Sequence, residues 1–189
     1  MKWSIMLKKV ILISIVSVIF LSNIKCYAGI VHGENRIPCG PLHFAGITLG
    51  VTNDSEVKRL LGNGKLHNMG NMYKRYFVDS DRHATLHVTM HTNLIVNELT
   101  VMEGMDPILK KDEQEMPVSI YFDPTASFWR GLRLGSSKEN VLEILGVPEK
   151  KNGDNEWVYS TSCCDSSDTI TVFFRNGHIF KFMFTASPG

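Results

Sequence analysis

The chain has 189 residues, with 20 Lys and Arg against 19 Asp and Glu, a formal charge of +1 and 43% hydrophobic residues. That balance excludes a disordered polyampholyte. It also excludes a nucleic-acid binder, because phosphate contacts draw on clustered basic residues and the nearest cluster is the pair Lys110-Lys111 inside an acidic stretch.

The chain opens with Lys2, Lys8 and Lys9 ahead of an unbroken apolar run from Val10 to Leu21, with small Ala28 after a short polar stretch. This is the layout of an export signal, so residues 1–28 are read as a cleaved signal peptide. The apolar run falls short of the roughly 20 residues a spanning helix needs. No stable membrane insertion is therefore expected after cleavage, and the expected location is periplasmic or secreted. Cys26 follows Lys25 rather than the small residue that lipoprotein processing uses, and whether it carries lipid stays open. Cleavage removes four lysines and no acid, leaving 16 basic residues against 19 acidic ones. It also leaves Cys39, Cys163 and Cys164 as candidates for one disulfide in an oxidising compartment.

Gly46-Ile47-Thr48-Leu49-Gly50 opens the first folded unit, followed by Val57, Leu60 and Leu61, whose spacing is that of one helix face. Asn53 and Glu56 have capping-box spacing at its start, and Gly62 suits its end. Three strand-like runs come next: Tyr73 to Val78, Thr85 to His91 and Val96 to Met102, with a turn at Asn93. Glu103 to Phe128 joins this unit to the next, with a solvated loop at Lys110 to Glu115 and one further strand at Val118 to Phe122.

The pattern then repeats. Gly131-Leu132-Arg133-Leu134-Gly135 precedes Val141, Ile144, Leu145 and Gly146, with Ser136 and Glu139 as the cap and Pro148 as the stop. Strands are predicted at Glu156 to Ser160, Thr169 to Arg175 and His178 to Phe184, the last two joined by Asn176-Gly177, a strong type I′ hairpin signal. The fold class predicted is α+β: two tandem repeats, each a short helical segment packed on an antiparallel β-meander. Residues 29–115 hold the first repeat and its connecting loop, and residues 116–189 the second.

The run Gly131 to Gly135, the helix ending Ile144-Leu145-Gly146-Val147-Pro148, the Trp157-Val158-Tyr159 element and the Val172 to Ile179 hairpin together resemble the SmpA/OmlA (BamE-type) outer-membrane lipoprotein module. Doubled in one chain, the module resembles the architecture of the beta-lactamase inhibitory protein. Tyr73 and Tyr76 stand roughly where the first copy would carry the Trp-x-Tyr element. The resemblance implies a helical layer behind a curved sheet whose open face grips a partner protein. Lys25 and the duplication depart from the lipoprotein pattern and count against a role in outer-membrane assembly.

Strand alternation points to a sheet surface independently. Leu86, Val88 and Met90 share one face, and His87, Thr89 and His91 share the solvent face. In the second copy Trp157 and Tyr159 share a face, while the last two strands are apolar on both, so that sheet expects a cover, either the other repeat or a docked partner. The candidate protein-binding residues are Trp157, Tyr159, Phe173 and Phe182, with Tyr73, Arg75, His87 and His91 from the first copy.

His83, His87 and His91 form the one histidine cluster, but His87 and His91 stand about 13 Å apart on a strand at roughly 3.3 Å per residue, too far to share an ion. No metal and no cofactor is expected. Cys163-Cys164 lies in an acidic loop that disfavours a thiolate, and Asp79 with Asp81, like Asp165 with Asp168, suits turn chemistry. Bonding of Cys39 to one of the pair, a vicinal disulfide and a reactive thiol all remain open. The function expected is an exported module holding a protein partner, as an inhibitor or immunity protein or as an envelope-assembly factor, and not an enzyme. A small-ligand carrier and a small thiol-dependent hydrolase are the alternatives.

Overall fold

In the computed structural model the described residues are 42–81, 83–106, 118–120, 122–128, 130–163 and 166–186, with backbone alone at 161–163, 166 and 167. In chain order their elements are β1 (His43–Phe44), β2 (Ile47–Thr48), α1 (Asp54–Leu61), β3 (Lys65–Asn68), β4 (Met72–Val78), β5 (Ala84–His91) and β6 (Val96–Glu103). Then come α2 (Lys138–Leu145), β7 (Lys150–Lys151), β8 (Glu156–Cys163), β9 (Ser166–Arg175) and β10 (His178–Thr185). The first two strands make a small hairpin of their own, and the other eight form one sheet in the order β3-β4-β5-β6-β10-β9-β8-β7, antiparallel throughout.

This corrects the expected fold class. The chain is mainly β, not an α+β pair of helix-bearing repeats, because each helix is eight residues, about 12 Å. The glycines that end them, Gly62 and Gly146, have φ of 89° and 81°, which stops each helix after its second turn. Four short strands escaped the sequence pattern: β1, β2, β3 and β7 are too brief to show alternation. The strand expected at Val118 to Phe122 does not form among the described residues; Val118 makes one parallel bridge to Val78, and Phe122 is buried.

The repeated glycine motifs have a structural cause. Gly50 N–H donates to Val96 C=O and Gly135 N–H to Ile179 C=O, both at 2.8 Å, so each motif is pinned to the last strand of its own half. Asp54 N–H donates to Leu94 C=O and Lys138 N–H to Gly177 C=O, both at 3.0 Å, which fixes each helix start on the turn before that strand. Asn53 caps α1 by accepting from Glu56 N–H at 3.0 Å, as expected. The α2 cap is Ser137 with Asn140, one residue beyond the Ser136 and Glu139 expected from spacing.

The halves share a sheet without a break. Antiparallel β6 and β10 pair from Lys181 with Met102 to Thr185 with Glu98, and residues from both halves belong to one hydrophobic core. The 115/116 boundary itself lies outside the described residues. Following the pairing across the sheet, Phe77, Leu86, Val101, Phe182, Val172 and Trp157 form one row, and Arg75, Val88, Leu99, Phe184, Ile170 and Tyr159 form the next. Val57 and Leu61 of α1, Val141 and Leu145 of α2, and Phe44, Phe122 and Phe128 are buried in the same core. Phe182 sits at its aromatic centre, with ring centroids 4.1 Å from Phe128, 5.4 Å from Phe44 and 5.3 Å from Phe184. Among the described residues no helix is long and apolar enough to cross a membrane.

Candidate functional site

The helices cover one face of the sheet, and the pairing register assigns the residues of the other. One row runs Val78, Thr85, Met102, Lys181, Phe173, Glu156. The next crosses every strand: Lys65, Tyr76, His87, Thr100, Met183, Thr171, Val158, Lys150. A third runs His67, Lys74, Thr89, Glu98, Thr185, Thr169, Ser160. Threonine recurs because its β-branched side chain suits a pleated surface while keeping a hydroxyl. Thr85, Thr89, Thr100 and Thr171 are buried, being shorter than the Met, Lys and Tyr side chains beside them, while Met102, Met183, Phe173 and Val158 are half-buried.

This register redistributes the candidate residues. Trp157, Tyr159 and Phe182 belong to the core and cannot meet a partner; the Tyr159 hydroxyl donates to Gly146 C=O at 3.2 Å, tying β8 to the end of α2. Burial raises the Tyr159 pKa, so that hydroxyl stays a donor. Tyr73 and Arg75 also lie on the helix side. Tyr73 packs against the core, and Arg75 reaches Asp54 at the start of α1 through Nε and through Nη2 at 3.1 Å, while Nη1 donates to Asn63 C=O. That guanidinium holds the Asp54 carboxyl below its ordinary pKa against the opposing effect of burial, and Lys58 Nζ at 2.8 Å assists. Arg75 is a clamp between helix and sheet rather than a docking residue.

Phe173, His87 and His91 do share the second face, but Phe173 and His87 are three strand spacings apart, about 14 Å at roughly 4.8 Å each. Sequence reasoning missed Met102, Met183, Lys181 and Phe180 there. The signal it lacked is a bulge between Ile179 and Lys181, which places Lys181 opposite Phe173 and turns Phe180 to the same side, with ring centroids 6.5 Å from Phe173.

The β4 and β5 part of this face is partly covered by the chain leaving β6. Thr85 Oγ1 donates to Gly104 C=O at 2.8 Å, Met105 packs against Tyr76 and Val78, and Asp106 Oδ2 lies 3.3 Å from His87 Nε2. That last approach misses hydrogen-bond geometry, and Nε2 is buried without a hydrogen bond. Burial pushes the His87 pKa down to about 4; Asp106 opposes this, while Lys74 and Lys181 add to it. His87 is therefore neutral at pH 7. Tyr76 packs edge-on between His67 at 5.1 Å and His87 at 4.7 Å, and its pKa is raised by burial and by Asp106 and Glu98.

His83, His87 and His91 form no ligand group among the described residues. His83 instead meets Asp79 and Asp81 in the β4 to β5 turn, where one ligand atom from each lies within 4.8 Å of the others. The buried Asp79 accepts Ala84 N–H at 2.7 Å, the turn role anticipated for it. Cys163 ends β8 opposite Ser166, and Cys39 and Cys164 lie outside the described residues, as do Cys26 and Asp165. On the helix side, two solvent-open clefts of about 500 and 530 Å³ flank the Gly131 to Gly135 motif, one lined by Arg130, Asn140 and Ile144, the other by His83, Glu103 and Thr125.

No family model matches the chain, and no curated protein matches it in sequence. In structure it is similar to a DUF4309 family protein from Bacillus subtilis subsp. subtilis str. 168, with a TM-score of 0.45 and 10% identity over 86% of this chain and 90% of that one. It is also similar to a cysteine-rich secretory protein from Staphylococcus aureus subsp. aureus Mu50, with a TM-score of 0.43 and 8% identity over 71% of this chain and 43% of that one. Likenesses of this strength carry no conclusion about function.

Proposed function

We propose that the chain is an exported protein-binding module that holds a partner on the sheet face opposite its helices, as an inhibitor or immunity protein or as an envelope-assembly factor. One observation carries the reading. The helices, and the aromatic side chains of the joining segment, pack on one side of the sheet, while Phe173, Phe180, Met183 and Val158 stand half-buried on the other. Apolar side chains grouped on a sheet among threonine hydroxyls fit an interface with an apolar centre and a polar surround. The amino-terminal basic and apolar sequence supports the export part of the reading.

The test is affinity capture from secreted and envelope fractions, identified by mass spectrometry, with substitutions on each side of the sheet. Phe173→Ala and Met183→Asp are expected to weaken capture of one partner by about 2 kcal/mol or more, as truncation of interface anchors does. Arg59→Glu, on exposed α1, is expected to leave capture unchanged. Equal capture by all three folded variants overturns the assignment of the face.

A further inference from the structure

We infer that the partner presents carboxylates beside apolar side chains, and that these dock on the β8 to β10 part of the second face with Lys181 at the centre. This rests on the docking reading above and adds the chemistry of what docks. In a chain with nearly balanced charge, the rows of this face carry Lys65, Lys74, Lys150 and Lys181 against Glu98 and Glu156, and Arg175 stands on the same side of β9 as Phe173.

The acids of the face are already engaged. Glu98 accepts from Thr89 Oγ1 at 3.1 Å and lies 3.9 Å from Lys74 Nζ, and Glu156 accepts from Asn152 at 2.6 Å. Over the apolar patch, Lys181 is not. Lys181 Nζ lies 4.5 Å from the Phe173 ring centroid and, among the described residues, pairs with no carboxylate. The Arg175 guanidinium lies 4.3 Å from the Phe180 centroid, and its approach to Glu103, at 3.8 Å, joins two mostly exposed side chains.

A cation over an aromatic face is weakly held at a surface. An incoming carboxylate can therefore draw Lys181 off the ring and leave Phe173, Met183 and Val158 as the floor for a neighbouring apolar side chain. The hydroxyls of Thr171 and Ser160 sit in the adjoining rows. Complementary charge of this kind sets orientation and association rate, and salt screens it.

The experiment is fluorescence anisotropy of the full chain with a labelled peptide of alternating Glu and Leu, beside its Lys and Leu counterpart. The acidic peptide is expected to bind and the basic one not. Binding is expected to weaken about tenfold with Lys181→Glu and about tenfold again between roughly 0.05 and 0.5 M salt. Arg59→Glu serves as the charge-reversal control on the helix side. Equal binding of both peptides, binding of neither, or a folded Lys181→Glu variant with unchanged affinity overturns the inference. If Met183→Asp abolishes partner capture while Lys181→Glu and salt leave it intact, the charge inference fails and the docking reading stands. Self-association by sedimentation, lost in Lys181→Glu, would seat a second copy on the face and overturn the acidic partner.

Discussion

Arg75→Met removes the clamp between α1 and the sheet and leaves its partners in place. Arg75 has 6% of its side-chain surface exposed and Asp54 14%, so the pair is largely withdrawn from water. Breaking one side of a buried pair costs about 3 to 5 kcal/mol, because the remaining charge is left without its counter-ion. Here Lys58 stays 2.8 Å from Asp54, which lowers the cost, while the Asn63 carbonyl loses its donor, which raises it. The expected loss is about 3 kcal/mol at pH 7, read from urea unfolding. The acid limb supplies a second readout. A carboxyl whose folded pKa is depressed stabilises the fold above its unfolded pKa near 3.9 and loses that contribution as pH falls through the folded value. In Arg75→Met the loss of stability below about pH 4 should therefore flatten, and Asp54→Asn with Arg75→Met should cost about 1 to 2 kcal/mol less than the two single changes added. An Arg75→Met protein within 0.5 kcal/mol of the parent, with an unchanged acid limb, would refute the clamp and return Arg75 to the list of surface residues.

His87 acts in a higher pH window. Its folded pKa of about 4 lies below the unfolded value near 6.5, so as pH falls between these values the unfolded chain takes up the proton and the folded one does not, at a cost on the order of 3 kcal/mol. His87→Gln should abolish that decline, and the His87 ring resonances should titrate near pH 4 by NMR; titration near 6.5 would show the ring solvated. Gly64→Ala is expected to destabilise by more than the roughly 1 kcal/mol that positive φ alone imposes, since φ is 61° and an added Cβ would stand 2.7 Å from the Phe77 ring. Gly177→Ala, at φ 81° with open space around it, is the calorimetric comparison and should cost only the conformational part. Equal effects at the two sites would discount the contact with Phe77.

The sequence showed the duplicated motif, both short helices and six of the sheet's strands, because each carries a local signal: helical spacing, glycine stops, alternation and the Asn176-Gly177 turn. It did not reveal which face of a strand meets the helices. Trp157 and Tyr159 announce a shared side, and either side of a sheet satisfies that. The error at Phe182 is more specific. A regular hairpin from Asn176-Gly177 sets Phe182 on the side of Phe173, and the one-residue bulge at Phe180 reverses every side chain beyond it. Arg75 was misread for a different reason: its partner Asp54 is 21 residues away and announces itself only as a helix start.

The same register predicts how the two halves depend on each other. At the seam, Val101 stands opposite Phe182 and Leu99 opposite Phe184, all four buried, and Phe44 of the first half packs on Phe182 of the second. A half expressed alone exposes two of these four side chains and turns β6 or β10 into a bare edge, which is both a loss of core and a template for aggregation. Residues 29–115 and 116–189 made separately are therefore expected to lack cooperative unfolding, and to recover dispersed amide resonances only when mixed. A half that melts cooperatively by itself, with native dispersion, would show that the packing within each repeat suffices and that the seam is an interface between independent domains.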